Sequence, residues 1–302
     1  MSARAGPDIT GETERDGSGV VTGFRLIEVP GRGTEDVVVD AAGAVYTGTE
    51  DGVIHRVGAD GRRVDAVAAT GGRPLGIELF PDGRLLICDA RRGLLLADPG
   101  SGAIETLVTE VGGVPMRFCN NAAVAADGTV YFSDSSTVHP IAEWKAEMVE
   151  VTRTGRLLRR QPDGQVDVLL DGLAFANGVA LAADGSFVVV AETATRTLVR
   201  RWLTGPAAGT SDLLVAELPG YPDNMARAAT ACSGWRSRAR ATRWSSACSA
   251  ARCGCGAGSR GSRPVCSRPS GGRSACRRTP ATGGWCTTCR WTTASTGPGS
   301  TW

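Results

Sequence analysis

Four short stretches of this 302-residue chain place oxygen-bearing side chains just ahead of apolar runs. They are Glu35 in Gly33-Thr34-Glu35-Asp36, Asn120 in Arg117-Phe118-Cys119-Asn120-Asn121, Asn177 in Phe175-Ala176-Asn177-Gly178, and Asp223 in Tyr221-Pro222-Asp223-Asn224. Carboxylates and amide carbonyls aimed at one another repel unless a cation lies between them. An all-oxygen set of mixed charge suits Ca2+, which takes about 6–8 oxygens in flexible geometry; another divalent cation is the alternative. No His or Cys falls at these positions, which argues against zinc. Taken singly, each residue has an ordinary account, since Asn before Gly is a common turn residue and an acid near a strand end is commonly solvated. Their recurrence at the same point of four units favours one shared site. The same test gives no support to Asn121, Glu78 or Asp89, and His139 is expected at the surface.

Residues so far apart can meet only if repeated elements carry them to one place. Such a repeat is present: an apolar run, a turn of the form (Ala/Pro)-Asp-Gly or close to it, and a second apolar run. It reads Asp40-Ala41-Ala42-Gly43, then Pro81-Asp82-Gly83, Ala126-Asp127-Gly128 and Ala183-Asp184-Gly185. Asp-Gly between alternating apolar runs signals a hairpin, because Gly accepts the positive φ of the turn. The turn glycines lie 40 to 57 residues apart, a period that belongs to propeller blades or solenoids. Second hairpins around 93–102 and 155–164 complete four-stranded units. The expected fold is all-β, a six-bladed β-propeller with about four blades encoded and the last two lost. Equivalent positions in successive blades then converge on one end of a central channel. Between the third and fourth turns, Ile141, Trp144 and Met148 are spaced for a short amphipathic helix near 140–150, placed to act as a lid or to cover a blade edge.

Composition divides the chain. After Arg227 there is no Asp, Glu, Lys, Leu, Ile, Phe or Tyr, but eight of the ten Cys and twelve of the 33 basic residues. The part before it therefore holds 21 basic residues against all 31 acidic ones and is acidic, while the tail is strongly basic. The expected organisation is a flexible polar N-terminus over 1–22, propeller blades over 23–227 and a non-native tail over 228–302. With one Val and no other branched aliphatic residue, the tail cannot bury enough apolar surface to offset ordering entropy. Its Cys286-Thr287-Thr288-Cys289 and Cys253-Gly254-Cys255 lack the second pair at matching spacing that a zinc module needs. Its Arg residues lack the aromatic interleaving of a nucleic-acid module, so no specific nucleic acid is expected. Combining the third base of each codon with the first two of the next permits DGLLWVALASP from Ala229 and DGRVVHDLQVDDGVY across Ala281 to Thr296. Both strings are hairpin-like, so the tail reads as coding sequence displaced by one base. Cys88 and Cys119 read as inert core residues. No apolar leader or membrane-length run is apparent, so the expectation is a cytoplasmic monomer.

From about Arg73 to Asn224 the chain resembles the SMP-30/gluconolactonase and strictosidine-synthase-like calcium-dependent propellers, a group related to the paraoxonases. The likeness rests on Arg73-Pro74-Leu75-Gly76-Ile77, Val114-Pro115-Met116-Arg117-Phe118-Cys119-Asn120-Asn121 and Ser133-Asp134-Ser135-Ser136, together with Leu173-Ala174-Phe175-Ala176-Asn177-Gly178-Val179 and Leu218-Pro219-Gly220-Tyr221-Pro222-Asp223-Asn224. The resemblance implies a calcium ion held by Glu35, Asn120, Asn177 and Asp223. It implies Lewis-acid hydrolysis of a lactone or ester, with Asp223 as the catalytic base. Asn121 stands where the group often has Asp, which weakens the case for a second, structural calcium. The Arg73–Ile77 motif has no His, which argues against a paraoxonase-style dyad. The expected function is a calcium-dependent hydrolase, impaired in this chain. The alternatives are a non-enzymatic binding scaffold or, in an intact parent, a strictosidine-synthase-like lyase.

Overall fold

A computed structural model of the chain describes residues 26–227 and 233–237. The expected N-terminal segment over 1–22 and most of the tail over 228–302 lie outside the described residues. Short antiparallel strands dominate. The first sheet joins β1 (Val37–Val39), β2 (Val45–Gly48), β3 (Val53–Val57) and β4 (Val64–Ala69) in sequence order. The second joins β5 (Pro74–Leu79), β6 (Leu85–Asp89), β7 (Gly93–Ala97) and β8 (Ile104–Val108) in the same way. A two-stranded ribbon, β9 (Glu110–Val111) with β10 (Val114–Pro115), follows. The third sheet holds β11 (Cys119–Val124), β12 (Val130–Asp134), β13 (Gly155–Arg160) and β14 (Val166–Leu173). The fourth holds β15 (Ala176–Leu181), β16 (Phe187–Glu192), β17 (Thr197–Trp202) and β18 (Ser211–Val215). Finally β19 (Pro222–Arg227) pairs with β20 (Ser233–Ser237). Each complete sheet is a simple meander, and the first strands of successive sheets contact one another, β1 to β5 to β11 to β15 to β19. That is the arrangement of propeller blades about an axis.

All four repeat turns form where the sequence places them, between the first and second strands of each blade, with Gly43, Gly83, Gly128 and Gly185 at φ of 81°, 88°, 87° and 68°. In the second and third blades the hydrogen bonds run from Phe80 N to Arg84 O and from Ala125 N to Thr129 O. These are three-residue loops ending in a left-handed Gly, not two-residue loops. In the second, third and fourth turns the Asp side chain closes the loop from within, as where Thr129 N donates to Asp127 Oδ1 at 2.9 Å, and in the first Asp40 does so from the residue ahead of the loop.

The core lies between blades. Ala44, Tyr46 and Ile54 of the first sheet pack on Ile77, Leu85, Ile87 and Leu95 of the second. Leu86, Leu94 and Leu96 meet Cys119, Phe132 and Leu158 of the third. Leu157 and Leu173 of the third meet Val179, Val188 and Val190 of the fourth. Burying a side chain of this size stabilises by about 1.5–3 kcal/mol, and a middle strand such as β6 is buried on both faces, Leu85 and Ile87 joining one core and Leu86 and Cys88 the next. Cys88 and Cys119 belong to this packing as free thiols, and burial, with Cys88 beside it, pushes the Cys119 thiol up. The expected helix forms as a 3-10 turn, Ile141–Glu143, running into α1, Trp144–Glu150. No helix among the described residues is long and apolar enough to cross a membrane.

Candidate metal centre

The loop leading into β1 and the starts of β11, β15 and β19 deliver Glu35, Asn120, Asn177 and Asp223 to one cavity of about 940 Å3. Sequence position alone separates these residues by up to 188 places, yet all four line the same walls. Leu75 occupies the corresponding place at the start of β5 and contributes apolar wall instead. Phe118 and Phe175 face each other with ring centroids 5.4 Å apart. Phe175 holds φ of 61°, a conformation costing roughly 1–3 kcal/mol for a bulky residue. The hydrogen bond from Thr193 N to Phe175 O at 3.0 Å helps to fix it. The helix closes one side: Ile141, Trp144, Lys145, Met148 and Val149 line the cavity, with Ile141 and Met148 packed on Leu75, Phe118 and Phe175.

Hydrogen bonding sets which end of each amide faces the cavity. Asn177 Nδ2 donates to Asp223 Oδ1 at 3.0 Å. A carboxylate accepts and does not donate, so this contact fixes the amide orientation. Asn177 Oδ1 is then buried without a hydrogen-bond partner among the described residues. Asn120 Nδ2 donates to Ser135 Oγ at 2.9 Å, which leaves its carbonyl end for a ligand. Buried acceptors without donors cost about 1–3 kcal/mol each, and a cation at the cavity wall would satisfy them. The donor set is two carboxylates and two amide oxygens, which fits a hard cation such as Ca2+ and does not fit zinc. Among the described residues, no three His, Cys, Asp or Glu side chains are grouped so that they could hold a metal ion.

The Ser133–Ser136 run positions this site. Ser133 Oγ donates to Asn177 O at 2.7 Å, and Ser135 Oγ donates to Ala176 O at 2.6 Å, so the second strand of one blade pins the first strand of the next. Asp134 is fully buried, takes the N–H of Phe118 at 3.0 Å and pairs with Arg156 at 2.6 Å. Burial pushes its carboxyl up, against the opposing pull of Arg156. Ser136 Oγ donates to Glu147 Oε2 at 2.8 Å, and Thr152 Oγ1 donates to the same carboxylate, anchoring the helix from below.

One residue deeper, the same strands do something else. Asp36 Oδ2 accepts from Ile77 N at 3.4 Å and from Asn121 Nδ2 at 3.4 Å. Asn121 Oδ1 accepts from Val179 N at 2.8 Å. An Asx in one blade thus takes the N–H that follows a Gly in the next. Gly76 and Gly178 are required there: a Cβ on Gly76 would lie 2.8 Å from Asn120 O, and one on Gly178 would lie 2.6 Å from Met225 N. Asn224, the counterpart in β19, has a buried Oδ1 with no partner among the described residues.

One expectation is corrected. His139 is buried, not on the surface. Its Nδ1 meets Glu143 Oε2 at 3.0 Å and its Nε2 meets Glu150 Oε2 at 2.8 Å, and these two carboxylates raise its pKa. Asp89 is fully buried and structural, its Oδ1 taking the N–H groups of Arg73, Arg91 and Arg92 at 2.8, 2.9 and 3.0 Å. Sequence reasoning missed Arg73, whose guanidinium stands 3.5 Å from Glu35. Arg-Pro-Leu-Gly reads as a turn, and nothing local announces that its side chain enters the cavity.

Fold and cavity together define a β-propeller with an oxygen-rich, partly apolar mouth beside a short helix. By sequence the chain is similar to the strictosidine synthase-like proteins: residues 120–206 match the Strictosidine synthase family and residues 22–57 match Strictosidine synthase-like, N-terminal. It is 45% identical over 159 residues to Protein STRICTOSIDINE SYNTHASE-LIKE 10 of Arabidopsis thaliana, covering 52% of this chain and 42% of that protein. It is 34% identical over 219 residues to the adipocyte plasma membrane-associated protein of Rattus norvegicus, covering 67% of this chain and 57% of that protein. The chain thus spans about half the length of these relatives. In structure it is similar to a gluconolactonase from Xanthomonas campestris, with TM-score 0.56, 20% identity, and 68% and 69% of the two chains covered. Regucalcin from Agrobacterium tumefaciens gives TM-score 0.52 at 17% identity, covering 66% and 65%. At such identities these structures establish the propeller fold alone.

Proposed function

We propose that Glu35, Asn120, Asn177 and Asp223 hold one calcium ion and that the site hydrolyses a lactone or similar ester. The observation that carries this reading is the buried, unpartnered Oδ1 of Asn177, in a cavity lined by the other three oxygen donors. The solved fold neighbour regucalcin is described as calcium-binding, and another neighbour as a gluconolactonase, which agrees with the reading.

When bound, the ion supplies Lewis-acid polarisation of a carbonyl. The chain's own residues do the rest. Asn177 orients the Asp223 carboxylate through the 3.0 Å contact from its Nδ2. Asp223 takes the proton from a water that attacks the acyl carbon and gives it to the alkoxide oxygen as the acyl C–O bond breaks. Phe118, Phe175, Met148 and Trp144 hold an apolar substrate body and limit water to the polar wall. The helix at 141–150 acts as the lid, with Glu147 as its fixed point.

The propeller is read as six-bladed in its intact form, with residues 228–302 displaced by one base. In the displaced reading WVALA falls on the five positions of β20, where a strand pairs with β19. This chain is therefore expected to show weak turnover, and a frame-restored chain more. Calcium titration followed by hydrolysis of a panel of small lactones tests the function. Asp223→Asn in the frame-restored chain is expected to lower turnover about 10²–10⁴-fold, the usual contribution of a general base. Calcium binding without any turnover would instead favour the non-enzymatic scaffold.

A further inference from the structure

Arg73 has no part in the chemistry above, yet it is a cation in contact with a proposed ligand. Its Nη2 lies 3.5 Å from Glu35 Oε2, with the two side chains 9% and 13% exposed. Its Nη1 donates to Gly33 O at 2.7 Å and to Pro74 O at 3.3 Å, while its backbone N–H donates to Asp89 at 2.8 Å. Both ends of the residue are therefore clamped. The guanidinium also lies against Gly33, where a Cβ would stand 3.2 Å from Nη2, so glycine there makes room for it. Glu50 lines the same wall but is not an ion-pair partner of Arg73 among the described residues.

The contact with Glu35 is long and single-pointed, in contrast to the bidentate pairs Arg favours with carboxylates. Glu35 can turn from it towards a cation, whereas Arg73 is held in place by two backbone carbonyls. The fixed positive charge then remains beside the cation, in a setting poorly screened by water.

We infer that Arg73 is the resident counter-ion of this site, pairing with Glu35 when no cation is bound and so limiting how tightly a divalent cation binds. The inference rests on the reading of the four oxygens as cation ligands. It makes Arg73 a positioning residue that acts through Glu35.

Calorimetric titration of calcium chloride into the full chain tests it with three proteins: unaltered, Arg73→Gln and Arg73→Lys. Removing the charge in Arg73→Gln is expected to tighten binding about tenfold or more, because one unit charge no longer opposes a divalent ion in a poorly screened setting. Arg73→Lys keeps the charge and is expected to bind within about twofold of the unaltered chain. A merely structural role, through the clamp on Gly33, predicts the reverse, with weaker binding in both variants, and that result would overturn the inference. Equal binding by unaltered chain and Arg73→Gln also overturns it while leaving the four-oxygen site standing. Should Arg73→Gln fail to fold, a Lys variant that departs from the unaltered affinity by more than that margin overturns it alone. No calcium heat in any of the three removes the site itself, and the counter-ion with it.

Discussion

Two adjacent layers of the channel are built from nearly the same residue types and differ in what their side chains face. The outer layer, Glu35, Asn120, Asn177 and Asp223, lines a cavity and includes a buried amide oxygen with no donor. The inner layer, one residue further along each strand, is Asp36, Gly76, Asn121, Gly178 and Asn224. There Asp36 and Asn121 take backbone N–H groups from the next blade, while Asn224 Oδ1 has no partner among the described residues. An Asn therefore lines the cavity or bridges two blades according to what faces it. The inner layer faces the glycine-bearing strands, whose backbones come close enough to donate. The outer layer faces the cavity.

The comparison breaks most readily in the inner layer. Asn121→Ala leaves Val179 N–H buried without an acceptor and removes the link to Asp36. It is expected to cost about 2–4 kcal/mol of unfolding free energy, on the scale of one or two buried unsatisfied groups, read by urea denaturation. Asn177→Ala, one layer out, removes an acceptor that has no donor among the described residues together with the Nδ2 donor to Asp223, two effects of opposite sign. It is expected to change stability by less than about 1 kcal/mol, while calcium affinity falls about tenfold or more, the loss of one oxygen ligand. Similar stability losses in the two variants would erase the distinction between layers.

The smallest effect concerns the helix that borders the outer layer. Imidazole nitrogens of His139 reach Glu143 and Glu150, and these contacts raise its folded pKa. The tether is therefore fully present below the ordinary His value of about 6.5 and is lost as pH rises through the raised folded value. Glu147 is the remaining charged neighbour and adds to the same shift. His139→Gln is expected to speed proteolytic cleavage within 141–150 at pH 6 and to make little difference at pH 9. Equal effects at both values would mean that the proton plays no part.

What the sequence makes legible here follows from how local each signal is. The Asp-Gly loops close through contacts two to four residues apart, as in Thr129 with Asp127, so the blades can be read from the chain. The helix is legible because Ile141 and Met148 sit on one face at helical spacing and pack on the same cluster. The outer oxygens are legible only because the repeat holds each at a constant distance from its turn. The Asx-to-Gly bridges are not, since Asn121 and Val179 are 58 residues apart and neither type announces the other. Arg73 is hidden for the same reason, as its partner Glu35 precedes it by a whole blade. His139 is misjudged because one of its partners, Glu150, comes from the far end of the helix.

Crystals of the chain grown with calcium put the central claim to the most direct test. The account predicts one ion within about 2.3–2.6 Å of oxygens from Glu35, Asn120, Asn177 and Asp223 together. A cavity without an ion at saturating calcium, or an ion bound through other residues, would contradict it.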